Sequence, residues 1–287
     1  MATHAVALPR RRRRHVYPWT SALTYGLALA VAGVCIVPVV YVILGGFRTA
    51  GQIASDPVGL PNPWVFDTYL RVITAGKFWH LVGNSTIVAL GTTLGVVLLG
   101  VCAAFALSRY RFRGREVLYT YFVLGLLFPA AAGILPLYLL LRDLHLDNTW
   151  WGLILPQVAY GLPLTIVILR PFLLAIPREL EEAALIDGSS KLGFFVRILL
   201  PLARPALVTV GVISFVSSWN SFLLPFLVIN DHNLYTLPMG VQQFQGQYSS
   251  DTAAILAYTS LSMMPALLFF LFAERQIVGG LTGAVKG

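Results

Sequence analysis

The chain has 287 residues, of which 57% are hydrophobic and only 11% charged, and it carries a formal net charge of +8. Soluble domains carry about a quarter charged residues. This composition, with a mean hydropathy of +0.76, therefore excludes an ordinary soluble globule and places the chain among integral membrane proteins. The positive excess is then the charge bias that sets membrane topology, rather than a nucleic-acid footprint.

Arg10 to Arg14 form an unbroken basic run ahead of an apolar stretch over 21–47. That stretch is too long for a signal-peptide core and lacks a convincing small-residue cleavage site. It reads as a retained first span, with residues 1–20 as its basic flank; topology and anionic headgroups account for the arginines. Residues 48–78 are polar, carry Pro57, Pro61 and Pro63, and include Trp64, Phe66, Tyr69, Phe78 and Trp79. Such aromatics suit a membrane–water boundary.

A second span is expected over 81–107, with Asn84, Ser85 and Thr86 near its entry, followed by a loop bearing Arg109, Arg111, Arg113 and Arg115. The third span is expected over 117–141 and contains Pro129 and Pro136; the fourth, over 151–174, contains Pro156 and Pro163. Prolines inside a span are tolerated where neighbouring helices or a cavity satisfy the freed backbone groups. The fifth is expected over 206–229, interrupted at Trp219–Asn220 and Pro225, and the sixth over 253–273, ahead of a tail over 274–287. Cys35 and Cys102 fall inside apolar runs, so they form neither a disulfide framework nor a metal site.

The fold class is thus an all-α integral membrane protein of six transmembrane helices over 21–273. Six spans put both termini on one side. That side would hold sixteen of the twenty Lys and Arg, leaving Arg48, Arg71, Lys77 and Arg142 on the other. The positive-inside rule then places both termini, and the loop 177–201 between spans four and five, in the cytoplasm.

That loop, PRELEEAALIDGSSKLGFFVRILLP, holds three of the five glutamates, Glu179, Glu181 and Glu182. Pro177 suits the first position of a helix, the glutamates suit its positive end, and Gly188 suits the residue just past its end. Leu180, Ala183, Ala184 and Asp187 fall on one face by spacing. Ser189 or Ser190 can cap a second short helix, with Leu192, Phe195, Val196 and Leu199 as its apolar stripe. Two short helices with a tight corner suit docking rather than catalysis.

Chemistry is sparse elsewhere. No GxxxxGK[ST] phosphate loop occurs, and Gly188-Ser-Ser-Lys191 lacks the second glycine and the following hydroxyl residue. HExxH, CxxC and GxSxG are absent as well. The polar candidates inside the spans are neutral, chiefly Asn84, Gln157 and Asn220; a proton- or sodium-coupled carrier usually needs intramembrane acids. No catalytic residue, metal site or bound cofactor is expected. The energy must enter from outside.

EAA at 182–184, Gly188 six residues after Glu182, and Ile198-Leu-Leu-Pro201 after nine more residues resemble the EAA loop of ABC importer permeases. NS at 84–85, PLYLLL at 136–141, LDNTWWGLIL at 146–155, WNSFLLP at 219–225 and the terminal GAVKG are similar to the carbohydrate-uptake subfamily, on the side of its smaller permease. The resemblance implies a bacterial plasma-membrane subunit of an ATP-driven sugar importer. Its partners would be a second permease, two ATPase subunits that hold ATP and magnesium, and an extracytoplasmic sugar-binding protein. Glu182, Ala183, Ala184, Asp187, Gly188, Ile198, Leu200 and Pro201 would form the coupling element. Ala183 and Ala184 equally suit plain helix formation, and Asp187 suits a local cap as well as a partner contact.

For the substrate path the candidates are Asn84, Trp219 and Asn220. An aromatic face beside an amide suits a carbohydrate, while Asn220 equally suits a bond across helices. No Arg or Lys falls at a span centre, which favours a neutral sugar over a phosphorylated one. The alternative is the same architecture importing another solute, such as glycerol phosphate or a polyol.

Overall fold

The computed structural model describes residues 18–246 and 251–285, with side chains over 23–246 and 251–271. The run Arg10–Arg14 and the end of the expected tail lie outside the described residues. The helices are α1 (Pro18–Gly45), α2 (Ala50–Ser55), α3 (Asp67–Thr74), α4 (Gly76–Arg109), α5 (Arg115–Gly125), α6 (Ile134–Asp143), α7 (Trp150–Ala175), α8 (Glu179–Ile186), α9 (Lys191–Phe194), α10 (Leu200–Trp219), α11 (Leu223–Val228) and α12 (Thr252–Val285). Among the described residues, five helical stretches are long and apolar enough to cross a membrane: Leu23–Gly45, α4, α7, Lys191–Trp219 and Thr252–Leu271.

The third expected span is the exception. Its helix stops at Gly125 and resumes at Ile134. Pro129 has no N–H and disfavours helical backbone in the residue before it. The chain therefore tightens: Leu126, Leu127 and Phe128 each donate to a carbonyl three residues back. Pro136 causes no such break, because it falls in the first turn of α6, where N–H groups have no partner within the helix. The fifth span differs at its start, since the helical rod begins at Lys191 rather than near 206. It does break after Trp219, as its sequence suggests.

α4, α7, α10 and α12 pack into the central bundle, and α1 lies against α12 with most of its side chains exposed. The α4–α7 seam is built on glycine. A Cβ at Gly91, Gly95 or Gly100 of α4 would meet Ile154, Val158 or Thr165 of α7 at 2.8, 2.7 and 2.3 Å, and one at Gly161 would meet Val96 at 2.7 Å. In lipid, no hydrophobic drive pulls helices together, so close van der Waals fit through small residues must hold them.

One end of this bundle carries α8; the other carries α2, α3 and the loop 229–246. At that opposite end, Asn84 Nδ2 donates to the carbonyls of Asn233 and Tyr235 at 2.7 and 3.0 Å, and Ser85 Oγ accepts from Leu237 N at 2.7 Å. The pair pins the loop onto α4.

Candidate functional site

The α8 end is built from local rules. Arg178 is the N-cap and Glu179, Glu181 and Glu182 fill the first turn, where the helix dipole favours acids. At the other end, Ser189 N bonds Ala184 O at 2.9 Å and Gly188 N bonds Leu185 O at 3.1 Å. This is the Schellman pattern, and it requires a left-handed residue at Gly188, whose φ is +82°. Ser190, not Ser189, caps α9, its Oγ accepting from Gly193 N at 3.0 Å.

α9 then runs into α10 without a break, through a wide turn at Phe195–Leu199 in which Leu200 N bonds Phe195 O, five residues back. Pro201 explains the widening, because in a regular α-helix its ring clashes with the carbonyl four residues earlier. The wider turn also changes which side chains face inward. Phe194, Phe195 and Leu199 are buried with Leu173, Ile176 and Ala184, whereas Leu192 and Val196 of the expected stripe are exposed. Ile198 and Leu200 pack against the same cluster, and Pro201 is exposed.

Two arginines fix this end from behind. Arg109 Nη2 donates to the carbonyls of Leu173 and Ile176, both at 2.9 Å, and its Nη1 lies 3.7 Å from Glu181 Oε2. Its side chain is 3% exposed. Arg170 reaches the other way: its Nε donates to Leu107 O at 3.2 Å, its Nη2 lies 2.5 Å from Glu116 Oε1, and its guanidinium covers the Tyr119 ring at 4.0 Å. Hydrogen bonds from Arg170 and then Arg115 hold the Glu116 carboxyl below its ordinary range.

Glu181, paired with Arg109, marks the side of α8 that faces the bundle. Ala184, three residues on, is buried against the bundle. Glu179, Glu182, Ala183 and Ile186 share the opposite side by spacing and are exposed, Ile186 at 85%. The face expected to join Leu180, Ala183, Ala184 and Asp187 is thereby split, with Ala184 alone turned inward.

A second feature lies in the bundle. A cavity of about 420 Å³ is lined by Thr92 of α4, Ala130 and Ala131 of the 126–133 break, Gln157 and Tyr160 of α7, Ser214, Ser217 and Ser218 of α10, and Ser221 and Phe222 beyond it. None of the described residues lining it is charged. The three residues suggested for the path, Asn84, Trp219 and Asn220, are not among the residues that line this cavity. Asn84 is spent on the 229–246 loop. Trp219 is buried with its Nε1 donating to Ser262 O at 3.0 Å, and Asn220 donates to Val216 O within its own helix at 3.0 Å.

Residues 96–277 match the family model of the binding-protein-dependent transport system inner membrane component. The chain belongs to this family. It is 34% identical over 264 residues to the diacetylchitobiose uptake system permease protein NgcG of Streptomyces coelicolor, covering 91% of this chain and 87% of that one. It is likewise 34% identical over 270 residues to the trehalose/maltose transport system permease protein MalG of Thermococcus litoralis, covering 91% and 95%. Its fold matches a chain in the crystal structure of a bacterial ABC transporter that imports the acidic polysaccharide alginate, with a TM-score of 0.78 at 21% identity, over 95% of this chain and 100% of that one. As a member of this family, the chain is a multi-pass membrane component of a transport system, and the loop and cavity are read in that light.

Proposed function

We propose that the chain is one of two permeases in an ATP-driven carbohydrate importer of the bacterial plasma membrane, with both termini and α8 on the cytoplasmic side. The observation that carries this reading is the outward face of α8. Glu179, Glu182, Ala183 and Ile186 are left exposed on a helix whose other side faces the bundle, with Glu181 3.7 Å from Arg109 and Ala184 buried. An exposed apolar residue flanked by acids, on a short helix with fixed ends, suits insertion into a partner's cleft.

In this account α8 seats in an ATPase subunit, two of which serve the permease pair and hold ATP and magnesium. Glu182 makes the charged contact, Ala183 permits close approach, and Asp187 and Gly188 form the corner. Ile198, Leu200 and Pro201 carry the motion into α10, because α9 and α10 form one continuous rod. The chain itself hydrolyses nothing. A binding protein delivers the sugar on the far side. The carbohydrate class is supported by the relatives, whose names specify diacetylchitobiose, trehalose, maltose and arabinooligosaccharides.

The test is reconstitution. Purified alone, the chain should hydrolyse no ATP; joined in liposomes by its partner permease, ATPase and loaded binding protein, it should support ATP-dependent sugar uptake. Full uptake by a Glu182→Lys, Gly188→Pro double variant would sink the coupling role.

A further inference from the structure

The α8 end of the bundle carries more cations than the fold uses. Arg109 and Arg170 are spent on helix carbonyls and on Glu181 and Glu116. Arg115 turns to Glu116 as well, its Nη2 lying 2.8 Å from Oε1. One carboxylate thus answers two guanidinium groups. Among the described residues, Arg111 and Arg178 make no ion pair and no side-chain hydrogen bond, and both are exposed.

These cations converge on one place. A hollow of about 420 Å³ is lined by Arg111, Arg115 and Arg178, and Glu116 is the one acid among the described residues that border it. Gly114, at a φ of +86°, turns the chain so that Arg111 and Arg115 border the same hollow. Arg178 joins them from the N-cap of α8, where a cation also faces the positive end of its own helix. Three guanidinium groups around one hollow repel each other, and an entering anion relieves all three.

The setting of the hollow is a separate observation. α4 is long and apolar enough to cross a membrane and ends at Arg109, so the hollow lies where the chain leaves the bilayer. Phe112 and Val117 border it and are exposed. Tyr121, one turn along α5 from Val117 on the same face, is exposed too. A lipid meets both halves of this surface, its phosphate the arginines and its acyl chains the apolar side chains.

We infer that Arg111, Arg115 and Arg178 hold the phosphate of an anionic phospholipid in the leaflet at the α8 end, with Val117 and Tyr121 against its acyl chains. Guanidinium forks match phosphate oxygens. A phosphatidylglycerol head brings a negative charge and no cation, whereas phosphatidylcholine brings an ammonium group among the arginines. The bound phosphate ties the loop after α4 to the residue that opens α8. The site depends on the membrane setting of the family and not on the carbohydrate reading.

The experiment is native mass spectrometry of the full-length chain in neutral detergent. It is titrated with dioleoylphosphatidylglycerol, dioleoylphosphatidylcholine and inorganic phosphate. Arg111→Gln and Arg178→Gln remove pocket cations. Arg113→Gln removes the same charge from an exposed residue of the same loop that does not border the hollow. Thermal midpoints check folding, and if Arg178→Gln disturbs it, Arg111→Gln against Arg113→Gln decides alone. The wild type should bind phosphatidylglycerol about tenfold more tightly than phosphatidylcholine. Each pocket variant should lose about tenfold, the worth of one charge-assisted hydrogen bond, while Arg113→Gln, a more distant and screened charge, should lose less than about threefold. Equal losses from all three variants would mean a diffuse positive field and overturn the site. Equal binding of the two lipids overturns the anionic class. Displacement of phosphatidylglycerol by inorganic phosphate at equal concentration makes free phosphate the ligand and overturns the lipid. Loss of the lipid when the ATPase subunit joins gives the hollow to that partner and overturns it likewise.

Discussion

Arg109 and Arg170 cross between the two central helices in opposite directions. Arg109, at the end of α4, bonds the terminal carbonyls of α7, and Arg170, on α7, bonds the Leu107 carbonyl of α4. Each guanidinium also takes a carboxylate from a neighbouring helix, Glu181 of α8 and Glu116 of α5. Four helices are thus tied at one end of the bundle by two planar donors, whose forked geometry lysine does not share.

Arg109→Met keeps the stem and removes the donors. The carbonyls of Leu173 and Ile176 then lose a charged partner, and Glu181 is released. The expected cost is about 1–3 kcal/mol, read as a lower thermal midpoint of the purified protein in detergent. Arg109→Lys should recover little of it. A midpoint equal to the wild type for Arg109→Met would show that the clasp contributes nothing.

The two alanines of the motif should separate cleanly. Ala184 is 6% exposed and packs with Leu173, Phe194 and Phe195, so Ala184→Leu overpacks the loop's anchor at about 1–3 kcal/mol. Ala183 is exposed, and Ala183→Leu should leave the thermal midpoint unchanged while reducing co-purification of the ATPase subunit. The reverse pattern would mean that α8 is turned the other way.

Gly188 and Gly100 should fail for different reasons. A Cβ at Gly188 meets nothing within 4 Å, so Gly188→Ala costs only the left-handed backbone, about 1–2 kcal/mol, and Gly188→Asn less. A Cβ at Gly100 would lie 2.3 Å from Thr165 Cγ2, so Gly100→Val must push α4 and α7 apart. Thermal scans should rank Gly100→Val as the more damaging of the two.

The Glu116 carboxyl adds one small acid-side contribution to stability. Its pKa is lowered from 4.5 by Arg170 and then Arg115. A lowered folded-state pKa adds stability that is present above the unfolded value and lost as pH falls through the folded one. Between pH 5 and 8 the Arg170 clasp should therefore be insensitive to pH, weakening only below about pH 4.5. Glu116→Gln should remove that acid-side dependence from the thermal midpoint without altering its slope at neutral pH.

Much of this was legible in the residues. Pro177, the three glutamates and Gly188 specify α8 and its end by local chemistry, and local rules hold there because the helix is short and solvent-facing. The tertiary consequences were not legible. Nothing in the periodicity of 177–201 says that Glu181 will face Arg109 and that Ala184 will be buried on the same side. The backbone absorbs Pro201 in a wide turn and continues from α9 into α10, so the buried residues are Phe194, Phe195 and Leu199 rather than the expected stripe with Leu192 and Val196. In the spans, polarity alone proved a poor guide to the cavity. Asn84 and Trp219 are polar or amphipathic because they bond loop and helix carbonyls. Gln157 was visible as an intramembrane amide, and the serines of 214–221 recur at helical spacing. The Gly91-x-x-x-Gly95 spacing was a usable signal for the α4–α7 seam.

The proposed seating of the outward face of α8 in an ATPase subunit makes a direct prediction. Cysteine crosslinking in the assembled complex tests it most directly, with Cys35 and Cys102, both exposed, first changed to serine. Single cysteines at Ala183, Ala184, Ile186 and, at the opposite end, Val58 would be treated with a short bifunctional maleimide, with and without ATP. Crosslinks to the ATPase subunit are expected from Ala183→Cys and Ile186→Cys, with a yield that changes on ATP binding, and none from Ala184→Cys or Val58→Cys. Absence of crosslinking from Ile186→Cys, or equal yield from Val58→Cys, would contradict it.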